Sequence, residues 1–120
     1  MRVEECYKDI GGNYQEALGR LVSPALVEKF IVKFLDDGSY EELCRQMESG
    51  GREDAFKAAH TLKGVCANLS ITKLCGSVSE LTEELRYGDA EVSDMARKLF
   101  EPVKEDYDMT VSTIRSYASE

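Results

Sequence analysis

The sequence predicts an all-α protein, and three observations lead to this prediction. Only two prolines interrupt the 120 residues. No long stretch alternates apolar and polar residues, as a half-buried strand would. Apolar residues instead recur at the three- and four-residue spacing of a helix face. Because this length suits one domain and 42% of the residues are hydrophobic, we expect a single domain over residues 1–120.

The N-terminal part predicts short helices followed by one clear helix. Residues 1–22 are weakly patterned and broken by Gly11-Gly12, which indicates one or two short helices. Ser23 then suits an N-cap and Pro24 suits the first helical position. Asp36-Asp37-Gly38 is predicted to end this helix. Its apolar stripe comprises Leu26, Val27, Phe30, Ile31, Phe34 and Leu35.

Three further helices are predicted before residue 88. Ser39 and Glu42 have the spacing of a capping box, which predicts the start of a short helix. Ser49-Gly50-Gly51 ends it. The apolar spacing then predicts two longer helices, over about 53–69 and about 71–87.

The last helix is predicted from about residue 91 to near the C-terminus. Pro102 lies inside it, so we expect a kink or a split there. Its inward side chains are predicted to be Val92, Met95, Ala96, Leu99, Val103 and Ile114. Long helices with short connections predict an up-down four-helix bundle, with a core of about 23–118 and short additional N-terminal helices in 1–22.

The charge of the chain argues against two classes of partner. There are 23 acidic and 15 basic side chains, for a formal net charge of −8. We therefore expect no nucleic acid and no anionic membrane as partner, since both attract basic proteins. No apolar stretch approaches the roughly 18–20 residues that span a bilayer. The N-terminal residues lack the apolar centre of a signal peptide, so the predicted location is cytoplasmic.

The four cysteines predict reduced thiols and no metal site. No two of them form a C-x-x-C pair, and the chain has a single histidine. A zinc site would need ligands from four separate segments. Cys66 and Cys75 fall on apolar stripes, which indicates small buried side chains.

The segment around the single histidine has a distinct pattern on a helical wheel. One side forms a predicted core face of Ala55, Ala59, Leu62, Cys66 and Leu69. His60 and Gly64 lie roughly 140° and 180° from the centre of this face. Lys57, Thr61 and Asn68 share the outer side, and Lys63 lies on the flank. The histidine is therefore predicted to face solvent, with a lysine three residues later and a glycine four residues later.

This combination of residues indicates phosphoryl chemistry. A glycine inside a helix costs about 1 kcal/mol relative to alanine, and at position 64 it leaves room for a bulky partner beside His60. Lys63 can reach an anion on the imidazole, because residues three apart are neighbours on a helix. A neutral imidazole nitrogen is a competent nucleophile, and an ammonium can stabilise phosphoryl oxygens. Taken alone, each residue also fits an ordinary surface side chain, or for Gly64 a tight helix contact.

The pattern His60-x-x-Lys63-Gly64, with apolar Leu69 nine residues after the histidine, resembles the signature of histidine-containing phosphotransfer (HPt) domains. Leu74, Val78 and Leu81 lie at apolar positions of that family, and length and helix pattern are similar too. The resemblance implies that His60 accepts a phosphoryl group from an aspartyl-phosphate receiver domain and passes it to another receiver. It further implies that Lys63 supports the phosphohistidine and that Gly64 clears room for the receiver.

The resemblance also implies the wider role of the protein. It would be a phosphorelay intermediate in two-component signal transduction and not an enzyme, since nothing resembles an ATP-binding loop. It would need no cofactor, because the Mg²⁺ belongs to the receiver. The implied partners are response-regulator receiver domains and a hybrid histidine kinase, and we expect the chain itself to be a monomer. The expected partner contacts are Lys57, Thr61, Gly64, Ala67 and Asn68.

Two positions depart from the family pattern and leave alternatives open. Ser70 stands where glycine is usual, and we expect it to end one helix and cap the next. Thr82 stands where many members have a glutamine that orients the histidine, and we expect it to orient His60 through a water. An HPt-like module that docks receivers without transfer is one alternative. An enzyme is another, although no Cys–His or Ser–His pair is evident and Cys66 lies on the opposite face.

Overall fold

The computed structural model describes all residues, Met1–Glu120, and confirms the all-α prediction. A 3₁₀ turn, Phe34–Asp36, follows the third helix. An isolated bridge between Gly51 and Glu91 is the only strand-like pairing. None of the helices is both long and apolar enough to cross a bilayer. The helices are α1 (Val3–Asp9), α2 (Tyr14–Leu21), α3 (Pro24–Lys33), α4 (Ser39–Ser49), α5 (Arg52–Asn68), α6 (Thr72–Leu85) and α7 (Asp94–Ala118).

The longer helices α4 to α7 pack along one another. Helix α5 contacts both α4 and α6, and α6 also contacts α7. Tyr40 of α4 stacks on Tyr107 of α7, with ring centroids 3.7 Å apart. Helices α1 and α3 pack on α7, and α2 lies against both of them. Buried apolar side chains from all seven helices form one core.

Most helix boundaries in the N-terminal half follow the predicted signals. The Ser23 hydroxyl accepts a hydrogen bond from the Leu26 N–H, with Pro24 as the first residue of α3, as predicted. Two short helices flank Gly11-Gly12, and Gly11 has a φ of +69°, which glycine adopts without strain.

The predicted capping box at α4 is wrong. Ser39 is the first residue of the helix and does not cap it. Asp37 accepts a hydrogen bond from the Ser39 N–H at 2.9 Å. The Glu42 carboxylate instead binds Arg45 and Gln46, one turn further along. The first N–H of α4 is therefore bound by an aspartate two residues upstream, as this short side chain often does in turns.

Two details of the α7 prediction are settled by the structure. Of the kink and the split that were expected at Pro102, the split does not occur, since Pro102 lies on the exposed side of one continuous 25-residue helix. Met95 was predicted to face inward but is 50% exposed. The helix begins only after Ser93, whose hydroxyl accepts from the Ala96 N–H, so the buried stripe starts at Ala96. That stripe comprises Ala96, Val103, Tyr107, Thr110, Val111 and Ile114, with Leu99 half-buried and Val92 buried ahead of the helix.

Arg52 holds the N-terminal end of α5 against the end of α6. Nη1 of its guanidinium donates to the carbonyls of Leu85 and Arg86 at 2.8 and 3.0 Å, and Nε donates to the carbonyl of Asp89 at 2.8 Å. The last carbonyls of a helix have no partner within the helix. One arginine side chain therefore closes α6 and fixes the loop that follows.

Ser70 holds the C-terminal end of α5, though not as predicted. It does not cap α6, since the residue before α6 is Ile71, which makes no side-chain cap. Ser70 has a φ of +55°. The Ile71 and Ser70 N–H groups donate to the Cys66 and Ala67 carbonyls, which is the Schellman arrangement that usually has glycine at this position.

The Ser70 side chain compensates for this strained backbone. Its hydroxyl donates to Glu16 at 2.7 Å and accepts from Arg20 at 2.8 Å. Arg20 also donates to the Asn68 carbonyl, and the buried Tyr7 hydroxyl donates to the Leu69 carbonyl at 2.8 Å. The short helices α1 and α2 thus tie down the end of α5.

Candidate functional site

The buried side of α5 is the side that the helical wheel predicted. Ala55, Ala59, Leu62, Cys66 and Leu69 are all buried. Ala58 is buried as well, and it lies beside Ser39 and Glu42 of α4. The wheel missed Ala58 because one helix on its own does not show where its neighbour packs.

The outer side of α5 carries His60 and Gly64, both exposed as predicted. A Cβ added at Gly64 would meet no atom within 4 Å. No helix contact therefore requires glycine there, which rules out the tight-packing explanation. The effect of Gly64 is to leave open space one turn after the imidazole.

The other predicted contact residues lie on this same exposed surface. Lys57, Thr61, Ala67 and Asn68 are all exposed. Thr61 donates its hydroxyl proton to the Lys57 carbonyl at 3.0 Å, as helical threonines often do.

A groove of about 560 Å³ runs alongside this surface, between α5 and α3. Sequence reasoning missed the α3 wall, because a wheel of α5 cannot show which element lies beside it. The groove gives the site an apolar floor next to Gly64. Its lining residues include Phe30, Lys33, Phe34, Thr61, Gly64 and Asn68.

Lys63 lies half-buried on the flank of α5, as the wheel placed it. It takes part in none of the protein's ion pairs. The pKa of the Glu83 carboxyl is lowered, chiefly by its hydrogen bond with Arg86 and further by the charges of Arg86 and Lys63. No carboxylate of the protein is paired with the Lys63 ammonium, so it is available to another anion.

Phe56 contacts the imidazole of His60, which sequence reasoning missed. The two ring centroids are 5.9 Å apart and the planes differ by 23°. The Arg86 guanidinium lies 5.1 Å from the Phe56 centroid. The spacing was a usable signal, since Phe56 precedes His60 by four residues and such residues are neighbours on a helix.

Thr82 is not placed to orient His60. It is fully buried, and its hydroxyl donates to the Val78 carbonyl at 2.7 Å. No hydrogen bond joins it to the histidine. A threonine that faces the core commonly donates its hydroxyl proton to a carbonyl on the preceding turn of its own helix. The hydroxyl of Thr82 therefore has no proton left to donate to His60.

The two buried cysteines have environments that disfavour the thiolate. All four cysteines are free thiols. Burial raises the pKa of Cys6 to about 11 and raises that of the buried Cys66 thiol as well. Such thiols are poor nucleophiles, because the thiolate is the reactive form. No group of three or more His, Cys, Asp or Glu side chains could hold a metal ion.

Comparisons of this chain with protein-family models, with curated proteins and with solved structures each give no match. The chemistry of the site is therefore argued from its own residues. It combines an exposed imidazole, an ammonium on the flank, and open space for a bulky partner.

Proposed function

We propose that this protein is a phosphorelay intermediate of two-component signalling, with His60 as the phosphoryl-accepting residue. One observation carries the proposal. The imidazole is exposed in mid-helix, and one turn later a glycine without any packing role leaves the approach to it open. The resemblance to HPt domains, which rests on His60, Lys63 and Gly64, suggests the same role.

The transfer requires only groups that the site and a receiver domain supply. A ring nitrogen of His60 attacks the phosphorus of an aspartyl phosphate. The new N–P bond forms as the acyl O–P bond breaks, and the aspartate carboxylate leaves with the electron pair. The second ring nitrogen keeps its proton. Lys63 stabilises the charge on the phosphoryl oxygens, and transfer to a second receiver is the reverse reaction.

The surface around His60 suits a receiver domain. The groove beside Gly64 offers apolar contact area, and polar Thr61 and Asn68 line its edge. Residues 50–51 and 69–71 are short connections on either side of α5. Helices α4 to α7 fit an up-down four-helix bundle that presents the histidine on the outside of its second helix.

The proposed protein carries phosphoryl groups but does not draw them from ATP. It acts as a monomer in the cytoplasm between a hybrid histidine kinase and receiver domains. Any Mg²⁺ used in transfer belongs to the acidic pocket of the receiver.

A second candidate function is docking of receivers without transfer. One observation favours it, namely that Thr82 gives His60 no hydrogen bond to fix the ring. The docking surface itself would be the same.

The two functions are separated by incubating the chain with receiver domains charged by a small-molecule phosphodonor. Mass spectrometry should show one acid-labile, alkali-stable phosphoryl group on His60 of the wild type and none on His60→Gln. Equal labelling of the two proteins would refute the relay. Binding of both proteins to several charged receivers, with no label on either, would establish the docking function instead.

A further inference from the structure

We infer that Phe56 positions the imidazole of His60 for phosphoryl transfer and that Arg86 holds Phe56 in place, an inference that rests on the function proposed above. Phe56 is a positioning residue in this account, since it touches the nucleophilic side chain and not the phosphoryl group.

The first argument is the direction of helical side chains. Side chains on a helix lean toward its N-terminus, over the preceding turn. His60 therefore lies over the turn that carries Phe56, and their ring planes are within 23° of parallel. Gly64, one turn later, contributes no side chain. The imidazole is supported on one side and open on the other.

The second argument is the lack of any polar group that orients the ring. His60 makes no side-chain hydrogen bond and no ion pair with another residue, and the hydroxyl of Thr82 is bound to the Val78 carbonyl. The imidazole instead contacts an aromatic ring, that of Phe56. An exposed side chain without such a contact samples several rotamers, and only some of them direct a nitrogen at an incoming phosphorus.

The third argument is that Phe56 is itself fixed. It is half-buried and packs against the core. Arg86 lies over its ring at 5.1 Å, and Glu83 holds Arg86 through two hydrogen bonds of 2.9 and 3.1 Å. A line of contacts thus runs from α6 through Arg86 and Phe56 to the histidine.

The test compares transfer rates in four proteins at a range of receiver concentrations. In Phe56→Leu, we expect the maximal rate to fall about tenfold, because orientation is lost at the chemical step. The receiver concentration at half-maximal rate should not change. Phe56→Tyr keeps an aromatic ring and should restore the rate. Phe100→Leu is the matched control, since Phe100 is also half-buried beside a cation, Lys104, but lies on α7, and it should transfer at the wild-type rate.

A second readout needs no receiver. The ring current of Phe56 shifts the NMR resonances of the His60 ring protons, so Phe56→Leu should move them and Phe100→Leu should not. If Phe56→Leu fails to fold, the same two measurements are made on Arg86→Met. This variant removes the cation that holds the Phe56 ring but keeps the ring itself. Unchanged His60 resonances together with an unchanged rate in that variant would overturn the inference.

The outcomes also separate this inference from the proposed function. A wild type that accepts no phosphoryl group from any charged receiver would overturn the proposed function and this inference with it. Normal transfer by the wild type and by a folded Phe56→Leu variant would overturn the inference alone. A change only in the half-maximal receiver concentration would make Phe56 a docking contact and would equally overturn a positioning role.

Discussion

The two ends of α5 and its middle are held in opposite ways. At the N-terminal end, Arg52 binds three carbonyls of α6 and its loop. At the C-terminal end, Tyr7 and Ser70 tie the last turn to α1 and α2. In the middle, the exposed surface from His60 to Gly64 carries no such tie. The difference shows how a rigid helix, fixed at both ends, can leave a central face open for a partner without becoming flexible.

The largest expected effect comes from filling the open middle. Gly64→Leu should lower transfer about 100-fold, which corresponds to about 2.7 kcal/mol of lost binding, because the added side chain occupies the approach to His60. The helix itself should gain up to about 1 kcal/mol. The rate of phosphoryl transfer from a charged receiver measures the first effect, and thermal unfolding measures the second.

Gly76→Leu is the control for this change. Gly76 is also exposed in mid-helix with open space around it, but it lies on α6. Transfer by this variant should match the wild type. Unimpaired transfer by Gly64→Leu would show that the open space has no role.

Loosening the N-terminal end of α5 should have the next largest effect. Arg52→Met removes three hydrogen bonds from a charged donor, so we expect unfolding free energy to fall by about 2 kcal/mol. Urea denaturation followed by circular dichroism measures it. Arg45→Met is the control, since Arg45 binds only Glu42 on an exposed helix face, where such pairs contribute about 0.5 kcal/mol or less. Equal losses in the two variants would contradict the anchoring role.

Removing the cation at the open middle should affect function and not stability. Lys63→Ala should slow transfer about tenfold, equal to about 1.4 kcal/mol of transition-state stabilisation. The assay is single-turnover transfer from a charged receiver. Lys63→Arg keeps the charge and should retain most of the rate, and identical rates in Ala, Arg and wild type would remove Lys63 from the site.

The smallest expected effects concern the C-terminal end. Ser70→Ala keeps the positive φ but loses the hydroxyl, so unfolding free energy should fall by about 1 kcal/mol. Ser70→Gly loses the same hydrogen bonds but relieves the backbone, and should lie closer to the wild type. A Gly variant less stable than the Ala variant would contradict the strain argument.

The loss of stability in Ser70→Ala should depend on pH. The hydrogen bond from Ser70 is the main cause that lowers the pKa of the Glu16 carboxyl in the folded protein. A carboxyl group whose pKa is lower in the folded protein stabilises the fold at pH values above its ordinary pKa. That stabilisation is lost as the pH falls through the pKa of the folded protein. The stability difference between wild type and Ser70→Ala should therefore shrink on acidification, which thermal melts at several pH values measure.

Much of the fold was predictable, because helices depend on local spacing. The break at Gly11-Gly12 and the start of α3 at Ser23 follow from single residues and were predicted correctly. Helix α4 also begins at Ser39, as predicted. The side chain that binds its first N–H was not predicted, since Asp37 and Ser39 are both residue types that do this and the sequence does not rank them. Met95 was misplaced because the position of the first turn of α7 decides which residues face inward.

The site was predictable to the extent that it lies on one helix. A wheel of α5 places His60, Lys63 and Gly64 relative to the core without further information. The contacts from other helices were not predictable in this way. The groove wall at Phe30, the Arg86 side chain over Phe56 and the burial of Thr82 all depend on how α3 and α6 pack against α5.

Helix α7 has a consequence for how the molecule opens. It packs against α6, α1 and α3 and meets α4 through Tyr107, so its detachment would expose much of the core. We therefore expect the amide hydrogens on its buried side to exchange with solvent through global unfolding. Helix α2 is short, has a single buried residue, Ala17, and holds the end of α5 through Arg20. We therefore expect its amides to exchange through local opening, which would release that end of the site helix first.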